Sequence, residues 1–423
     1  MINVLFTKTP LMFFVQSFWS DEAFSYLMAK KSLLDIVVLS AKDFSPPLYY
    51  FSLHFWMNVF GTSEVMIRLL SVIFYWATIY VCFIFLSDFF KMKLKKAFFY
   101  TFFIAINPIL LYYAFEARMY SMFAFFSVLS FYALYKKNDK LYLLAAVLGL
   151  YTHYFMVFVV ILQYFMSKSK QLKAFAIFLP WGLYTLISKG VGPEPFWIQS
   201  FSLSNLVNFV GSIYTGYEPE LNFFSNSIFL FSLVILILIG FGYLNHKNNR
   251  GEKHRLFRYL IIWALAIPFF ITLISYIKPI FLPRYLIFST VGLLLLLIFI
   301  VEELPIPFRV GVVGLLIAVT LYYQGLQVAY RRKADLRKTI GEIKLLMSKG
   351  DKLYVSSEQD FFTAQYYLDE NRVYVWGKTY QEIPDYVGKV LIPKQKVVRI
   401  LPFYPNKAFV LTRDGNYTIQ AAY

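Results

Sequence analysis

The chain has 423 residues, of which 59% are hydrophobic and 15% charged, and 41 Lys and Arg against 24 Asp and Glu leave a net charge of +17. Soluble domains are nearer half apolar and a quarter charged, so a disordered chain, a disulfide-rich secreted module and an ordinary soluble enzyme are excluded. Uninterrupted apolar runs, as at 226–244 and 285–301, predict membrane spans, and the basic excess then labels cytoplasmic loops rather than a nucleic-acid surface.

In chain order, about eleven spans are predicted, at 2–18, 65–88, 97–113, 119–135, 141–153, 155–167, 173–188, 226–244, 259–277, 284–301 and 309–326. The first stretch lacks the basic start and small-residue cleavage site of a signal peptide, and reads as a short span. The pair 141–153 and 155–167 reads equally as one longer span plus a re-entrant piece. Lys91, Lys93, Lys95 and Lys96 fall in one loop, and Lys136, Lys137 and Lys140 in another. Lys168, Lys170 and Lys173 fall in a third, and Lys247, Arg250, Lys253, Arg255 and Arg258 in a fourth. All four loops share one side, which the positive-inside rule makes cytoplasmic. The other side receives 19–64, 114–118, 189–225, 278–283 and the C-terminal tail. Within 19–64, Leu33 to Leu39 predicts an amphipathic interfacial helix. The single Cys82 allows no intramolecular disulfide and no Cys-based metal site.

Near Tyr330 the composition turns polar, which divides the chain into a membrane domain, 1–330, and a soluble domain, 331–423. The second predicts helices over Ala334–Lys349 and Glu358–Glu370. Strands are predicted at Leu353–Val355, Arg372–Trp376, Lys389–Ile392 and Val397–Leu401. A hairpin follows, with Ala408–Leu411 and Tyr417–Gln420 flanking Asp414-Gly415. The reading is a small extracytoplasmic α/β domain.

Ionisable residues at a bilayer are costly and therefore candidates for function. Asp21-Glu22 follows the first span, and two carboxylates there suit a general base or a metal ligand; helix capping is the simpler alternative. Glu116 and Arg118 lie in the shortest external link, where an ion pair or interface anchor is the alternative. Lys278 and Arg284 are also external, with snorkelling as the alternative, and His153 sits between tyrosines at the same edge. No phosphate-cradling Gly loop, Gly-x-Ser-x-Gly or His-Glu-x-x-His is present. On this topology the candidates emerge on one face. An acid with several cations at the bilayer edge suits a substrate with a lipid tail and a phosphate head.

These stretches resemble the GT-C class of membrane glycosyltransferases, the protein O-mannosyltransferase family (family 39) and its bacterial relatives of the lipid A aminoarabinose transferase group. Trp19-Ser20-Asp21-Glu22-Ala23-Phe24 is similar to the family's first-loop Asp-Glu motif. Asp43-Phe44-Ser45-Pro46-Pro47-Leu48-Tyr49-Tyr50, then His54, Trp56 and Arg68, resembles the segment leading to the second span. Glu116-Ala117-Arg118-Met119-Tyr120, Tyr151-Thr152-His153-Tyr154 and Pro283-Arg284-Tyr285-Leu286 follow in order. Ser45 departs from the pattern, because many relatives carry His or Lys before Pro-Pro. The resemblance implies transfer of a sugar from a polyprenyl phosphate, such as undecaprenyl phosphate, to an acceptor outside the cytoplasmic (inner) membrane. It implies Asp21, Glu22 and Glu116 as catalytic residues. Arg118, Tyr120, His153, Lys278, Arg284 and Tyr50 are implied to bind lipid phosphate and sugar.

The expected reaction is inverting and needs no obligatory cofactor or metal, with Mg²⁺ or Mn²⁺ between Asp21 and Glu116 left open. The acceptor is a lipid, a polysaccharide or a protein; membrane lipids are partners and nucleic acid is not. The alternatives are a transporter or flippase of lipid-linked sugars, which internal repeats and midplane charges would favour, and a membrane scaffold.

Overall fold

The computed structural model describes residues 2–167, 171–189, 198, 205–218, 225–247 and 250–422. Most of the external loop expected over 189–225, and Lys168 and Lys170, lie outside the described residues. Among those described, five helices are long and apolar enough to cross a membrane: Glu64–Phe89, Ser227–His246, Glu252–Ile274, Pro283–Glu302 and Ile306–Tyr330. A sixth is counted if Leu94–Ala105 and Pro108–Ala114, bent by 71°, form one span. Tyr120–Tyr135 and Met156–Met166 are shorter apolar helices. Glu64–Phe89 has 26 residues, about 39 Å of helix against a hydrocarbon core of about 30 Å. These helices make the chain a membrane protein.

Where the expected spans break, proline is at the break. The run 2–18 is two short helices, Ile2–Lys8 and Met12–Val15, with Pro10 between them. The run 97–113 bends where Asn107 caps the helix that starts at Pro108, its side-chain oxygen accepting from Leu110 N. Proline supplies no N–H to the preceding turn and disfavours helical backbone just before itself. The 259–277 run is continuous but contains a π-helical turn, Ile262–Ala266, which turns Trp263 into the core.

Helix Pro283–Glu302 is the centre of the bundle, with every residue from Leu286 to Val301 buried. Trp263 stacks on Phe131 with centroids 4.4 Å apart, and its Nε1 donates to Phe288 O at 2.9 Å. Gly292 lets that indole close in, because a Cβ there would sit 2.9 Å from its ring. Three of the four basic loops are held by acids at helix ends. Lys136 pairs with Asp88 at 2.9 Å, His246 with Glu303 at 2.6 Å, and Lys96 with Glu302.

The C-terminal part is a five-stranded sheet of β1 (Lys352–Val355), β2 (Val373–Trp376), β3 (Val397–Val398), β4 (Ala408–Leu411) and β5 (Tyr417–Gln420). The order is β3-β2-β1-β4-β5, parallel except for the β4–β5 hairpin. Gly415 adopts φ +83° in its turn, which favours glycine. The expected helices are Leu336–Leu346 and Asp360–Tyr367. Two strand expectations are corrected. Lys389–Ile392 is a 3-10 turn, Lys389–Leu391, because left-handed Gly388 turns the chain before it and Pro393 follows it. Val397–Leu401 shrinks to the two residues that meet Val375 and Trp376.

One continuous apolar core joins the two parts. Helix Asp360–Tyr367 packs on helix Ser20–Ala29 of the first loop, with Phe362 edge-on to Phe24 at 5.4 Å and Tyr366 edge-on to Tyr26 at 4.9 Å. Lys30 pairs with Glu370 at 2.6 Å alongside. The expected amphipathic helix is Leu33–Lys42, with Ser32 at its N-cap.

Candidate functional site

Asp21 and Glu22 occupy the first turn of helix Ser20–Ala29, where the macrodipole favours carboxylates. Adjacent helical residues point about 100° apart, so the two cannot serve one face. Glu22 turns inward and is fully buried, while the Asp21 side chain is 40% exposed.

Glu22 meets four donors. Arg68 gives it a two-pronged contact, Nε to Oε1 and Nη2 to Oε2, both 2.7 Å. Ala117 N donates to Oε1 at 3.0 Å and Lys333 Nζ to Oε2 at 3.1 Å. Burial alone would raise this carboxyl, but Arg68 and then Lys333 more than offset it, holding it well below the ordinary glutamate range. The other prong of Arg68 donates to Phe14 O at 3.0 Å and Gln16 O at 2.7 Å. One buried carboxylate therefore ties the first loop, the Glu64–Phe89 helix, the 116–118 link and the C-terminal segment together.

Asp21 faces Arg118, with Oδ2 3.7 Å from Nη2, and Arg118 Nη1 donates to Asp21 O at 3.2 Å. The Arg118 side chain is only 12% exposed, so its charge lies behind the open carboxylate. Glu116 is buried and accepts from Trp19 Nε1 at 2.8 Å. Burial raises its carboxyl, and Lys333 only partly counters that. Lys333 lies over the Trp19 ring at 5.0 Å. Burial pulls its ammonium below the ordinary lysine range, yet the 3.1 Å contact with Glu22 keeps it an ion pair.

A wall of rings continues from there. Tyr120 lies 4.7 Å from Tyr113 and 5.9 Å from His153, and Arg118 sits 6.0 Å from its face. His153 stacks on Phe123 at 4.6 Å and reaches Tyr285 at 5.1 Å. Arg284, next to Tyr285, pairs with Glu218 through Nη1 at 3.1 and 3.3 Å. Tyr50 is buried against Phe24 at 6.3 Å and Tyr49 at 6.0 Å, near Ser45. Lys278 is exposed in the segment that leads to Pro283.

Asp21, Glu22, Glu116, Arg118, Tyr120, His153 and Arg284 thus form one continuous cluster, with Tyr50 on its flank. Four participants were not singled out from sequence. Arg68 was read only as part of a motif, although an Arg one turn into a span is costly without a partner. Lys333 lies in the polar segment that follows Tyr330, and nothing local in sequence separates it from its neighbours. Glu218 stands in a loop read only for its side of the membrane. Asp43 was read only within the Pro-Pro segment. Its carboxyl is buried near Arg118 and Asp21, and burial pushes it up to about 6 although Arg118 pulls the other way. Among the described residues, no group of three or more His, Cys, Asp or Glu side chains could hold a metal ion.

What the arrangement offers chemically is an open carboxylate in front of a buried guanidinium, walled by aromatic rings, with a second guanidinium further along. No family model and no curated protein matches the sequence. In fold, the chain is similar to ArnT from Cupriavidus metallidurans in the apo state, with a TM-score of 0.61, 14% identity, and 95% of this chain and 91% of that one covered. It is also similar to the same protein bound to undecaprenyl phosphate, with a TM-score of 0.60, 13% identity, and 97% and 93% covered. The backbone therefore shares the fold of these two ArnT structures over nearly its whole length.

Proposed function

We propose that the chain is an inverting glycosyltransferase that moves a sugar from a polyprenyl-phosphate donor to an acceptor on the extracytoplasmic side of the inner membrane. The observation that carries this reading is the pairing of solvent-open Asp21 with buried Arg118 at 3.7 Å. A protein of the same fold has been crystallised with undecaprenyl phosphate bound, which supports the donor class. In the reaction, an acceptor hydroxyl oxygen attacks the anomeric carbon while the bond from that carbon to the phosphate oxygen breaks. The electron pair leaves on a phosphate that is a stable anion, so no general acid is required. The hydroxyl proton passes to Asp21. Attack from the face opposite the phosphate inverts the anomeric centre.

Arg118 and Arg284 are the phosphate clamp, since a guanidinium binds phosphate through two parallel N–H bonds. Tyr120, His153 and Tyr50 wall the sugar, Lys278 lies at the rim, and Glu116 shapes the floor through Trp19. Glu22, with both oxygens occupied, is a positioning residue. Eleven spans, with 1–330 in the membrane and 331–423 outside it, give the topology that brings the site to that side. The acceptor is a lipid, a polysaccharide or a protein. No cofactor enters these steps, and transfer is expected to survive chelation by EDTA.

The test is transfer of labelled sugar from a polyprenyl-phosphate donor by the purified protein, without any gradient. Asp21→Asn is expected to lower kcat by about 10² to 10⁴-fold. Unchanged transfer by this variant sinks the base assignment. Donor movement across a vesicle without transfer sinks the enzyme reading in favour of a flippase.

A further inference from the structure

Helix Met156–Met166 begins beside His153, and its far end borders a second feature. There a cleft of about 840 Å³ opens between its last turns and the start of helix Glu252–Ile261. One side carries Lys247, Arg250, Arg255 and Arg258. The other carries Leu162, Phe165 and Met166, while Ile262 lies on the same helical face as Arg255 and Arg258. The spacing explains the split: 162, 165 and 166 share a helical face, as do 255, 258 and 262. No carboxylate lines the cleft.

Glu303, at this end of the bundle, is engaged by His246 at 2.6 Å and Lys253 at 3.8 Å. Among the described residues, no carboxylate comes within ion-pair distance of the four cations that line the cleft. Arg255 is held over the Tyr135 ring at 5.6 Å. Arg250 and Arg255 also flank the N-terminus of a ten-residue helix, where the macrodipole disfavours cations and favours an anion. Lys247, Arg250, Arg255 and Arg258 are all exposed, so this positive charge faces outward and is open to an anion.

We propose that the cleft binds an anionic phospholipid of the surrounding bilayer, with phosphate among the cations and acyl chains along the apolar wall. A free phosphate would satisfy the cations and leave that wall wet. Phe165, 74% exposed, continues the wall toward the lipid-facing surface. Basic pockets at span ends take anionic head groups in this way. Four permanent cations exceed the single charge of one phosphodiester, so a lipid with two phosphates fills the site best. The site is separated from the carboxylate cluster by an eleven-residue helix, about 16 Å, and does not depend on the proposed reaction.

The test is thermal unfolding of the full chain in mixed micelles, titrated with cardiolipin, phosphatidylglycerol, phosphatidylcholine or inorganic pyrophosphate. The expected result is the largest rise in midpoint with cardiolipin, a smaller one with phosphatidylglycerol, and none with phosphatidylcholine or pyrophosphate. Arg250→Gln with Arg258→Gln should weaken the apparent cardiolipin affinity about thirty-fold, and the two Lys substitutions should restore it. The ranking of lipids on the unaltered protein stands even if the Gln pair fails to fold. An equal response to phosphatidylcholine overturns the proposal, as does an unchanged affinity in a folded Gln pair. A pyrophosphate response equal to that of cardiolipin makes the cleft an ion site and overturns the lipid.

Discussion

Two neighbouring acids with the same chemistry in sequence are given different work by the helix that carries them. Because Glu22 is fully buried against Arg68, Glu22→Gln leaves a guanidinium without its partner charge, and about 3–5 kcal/mol of stability should be lost. Asp21→Asn should leave the melting temperature within about a degree or two while transfer collapses. Measuring both quantities for both variants separates a positioning carboxylate from a reacting one. Asp43 supplies a pH signature. Its carboxyl is raised from 3.8 to about 6, chiefly by burial, so the folded state holds the proton more tightly than the unfolded one. Its contribution to stability is complete below about pH 4 and is lost as the pH rises through about 6. The loss amounts to roughly 3 kcal/mol at most. Asp43→Asn should flatten that part of the pH–stability curve; a curve that keeps its full slope there is incompatible with this environment. Glu22 has the opposite sign, since its lowered carboxyl stabilises above the ordinary glutamate value and fails as pH falls below it.

Among the elements, two contacts decide most. Gly292 on the central helix faces Trp263 so closely that an added methyl meets the indole at 2.9 Å. Gly292→Ala should cost about 1–3 kcal/mol through overpacking, read as a drop in melting temperature. The second contact joins helix Asp360–Tyr367 to helix Ser20–Ala29. Phe362 is fully buried against Phe24, and Gly388, with φ +86°, comes so near that ring that a Cβ would lie 2.5 Å away. Phe362→Ala should destabilise by about 3–5 kcal/mol and also lower transfer, because the helix it supports carries Asp21. Loss of stability with full activity per folded molecule would show that this docking does not position the acid.

At the scale of the whole molecule, the basic loops form one end and the carboxylate cluster with the sheet domain the other. Cys82 is fully buried, so the native thiol is silent toward impermeant reagents. Lys253→Cys and Lys338→Cys, both at exposed positions, should therefore label from opposite sides of sealed vesicles. Labelling from one side would overturn the topology that the proposed function uses.

Much of this was legible in the sequence, for physical reasons that differ by region. Apolar length and the sorting of Lys marked membrane segments and their ends, since a run such as 285–301 has only the bilayer or a buried core to occupy. The hairpin at Asp414-Gly415 was legible because its turn has a local steric requirement. The kinks at Pro10 and Asn107-Pro108 were written locally as well, although hydrophobicity alone masked them. What the sequence by itself determined was therefore the membrane class, the sided charge, the C-terminal sheet and the acids and arginines available for chemistry. Only the tertiary structure decided that Glu22 is occupied by Arg68 and Lys333, 46 and 311 residues away, while its neighbour Asp21 is open. Only it brought Asp43 beside Arg118 and set the C-terminal helix behind the first loop. Helix phase, burial and contact across hundreds of residues assign those roles, and no local pattern of residues encodes them.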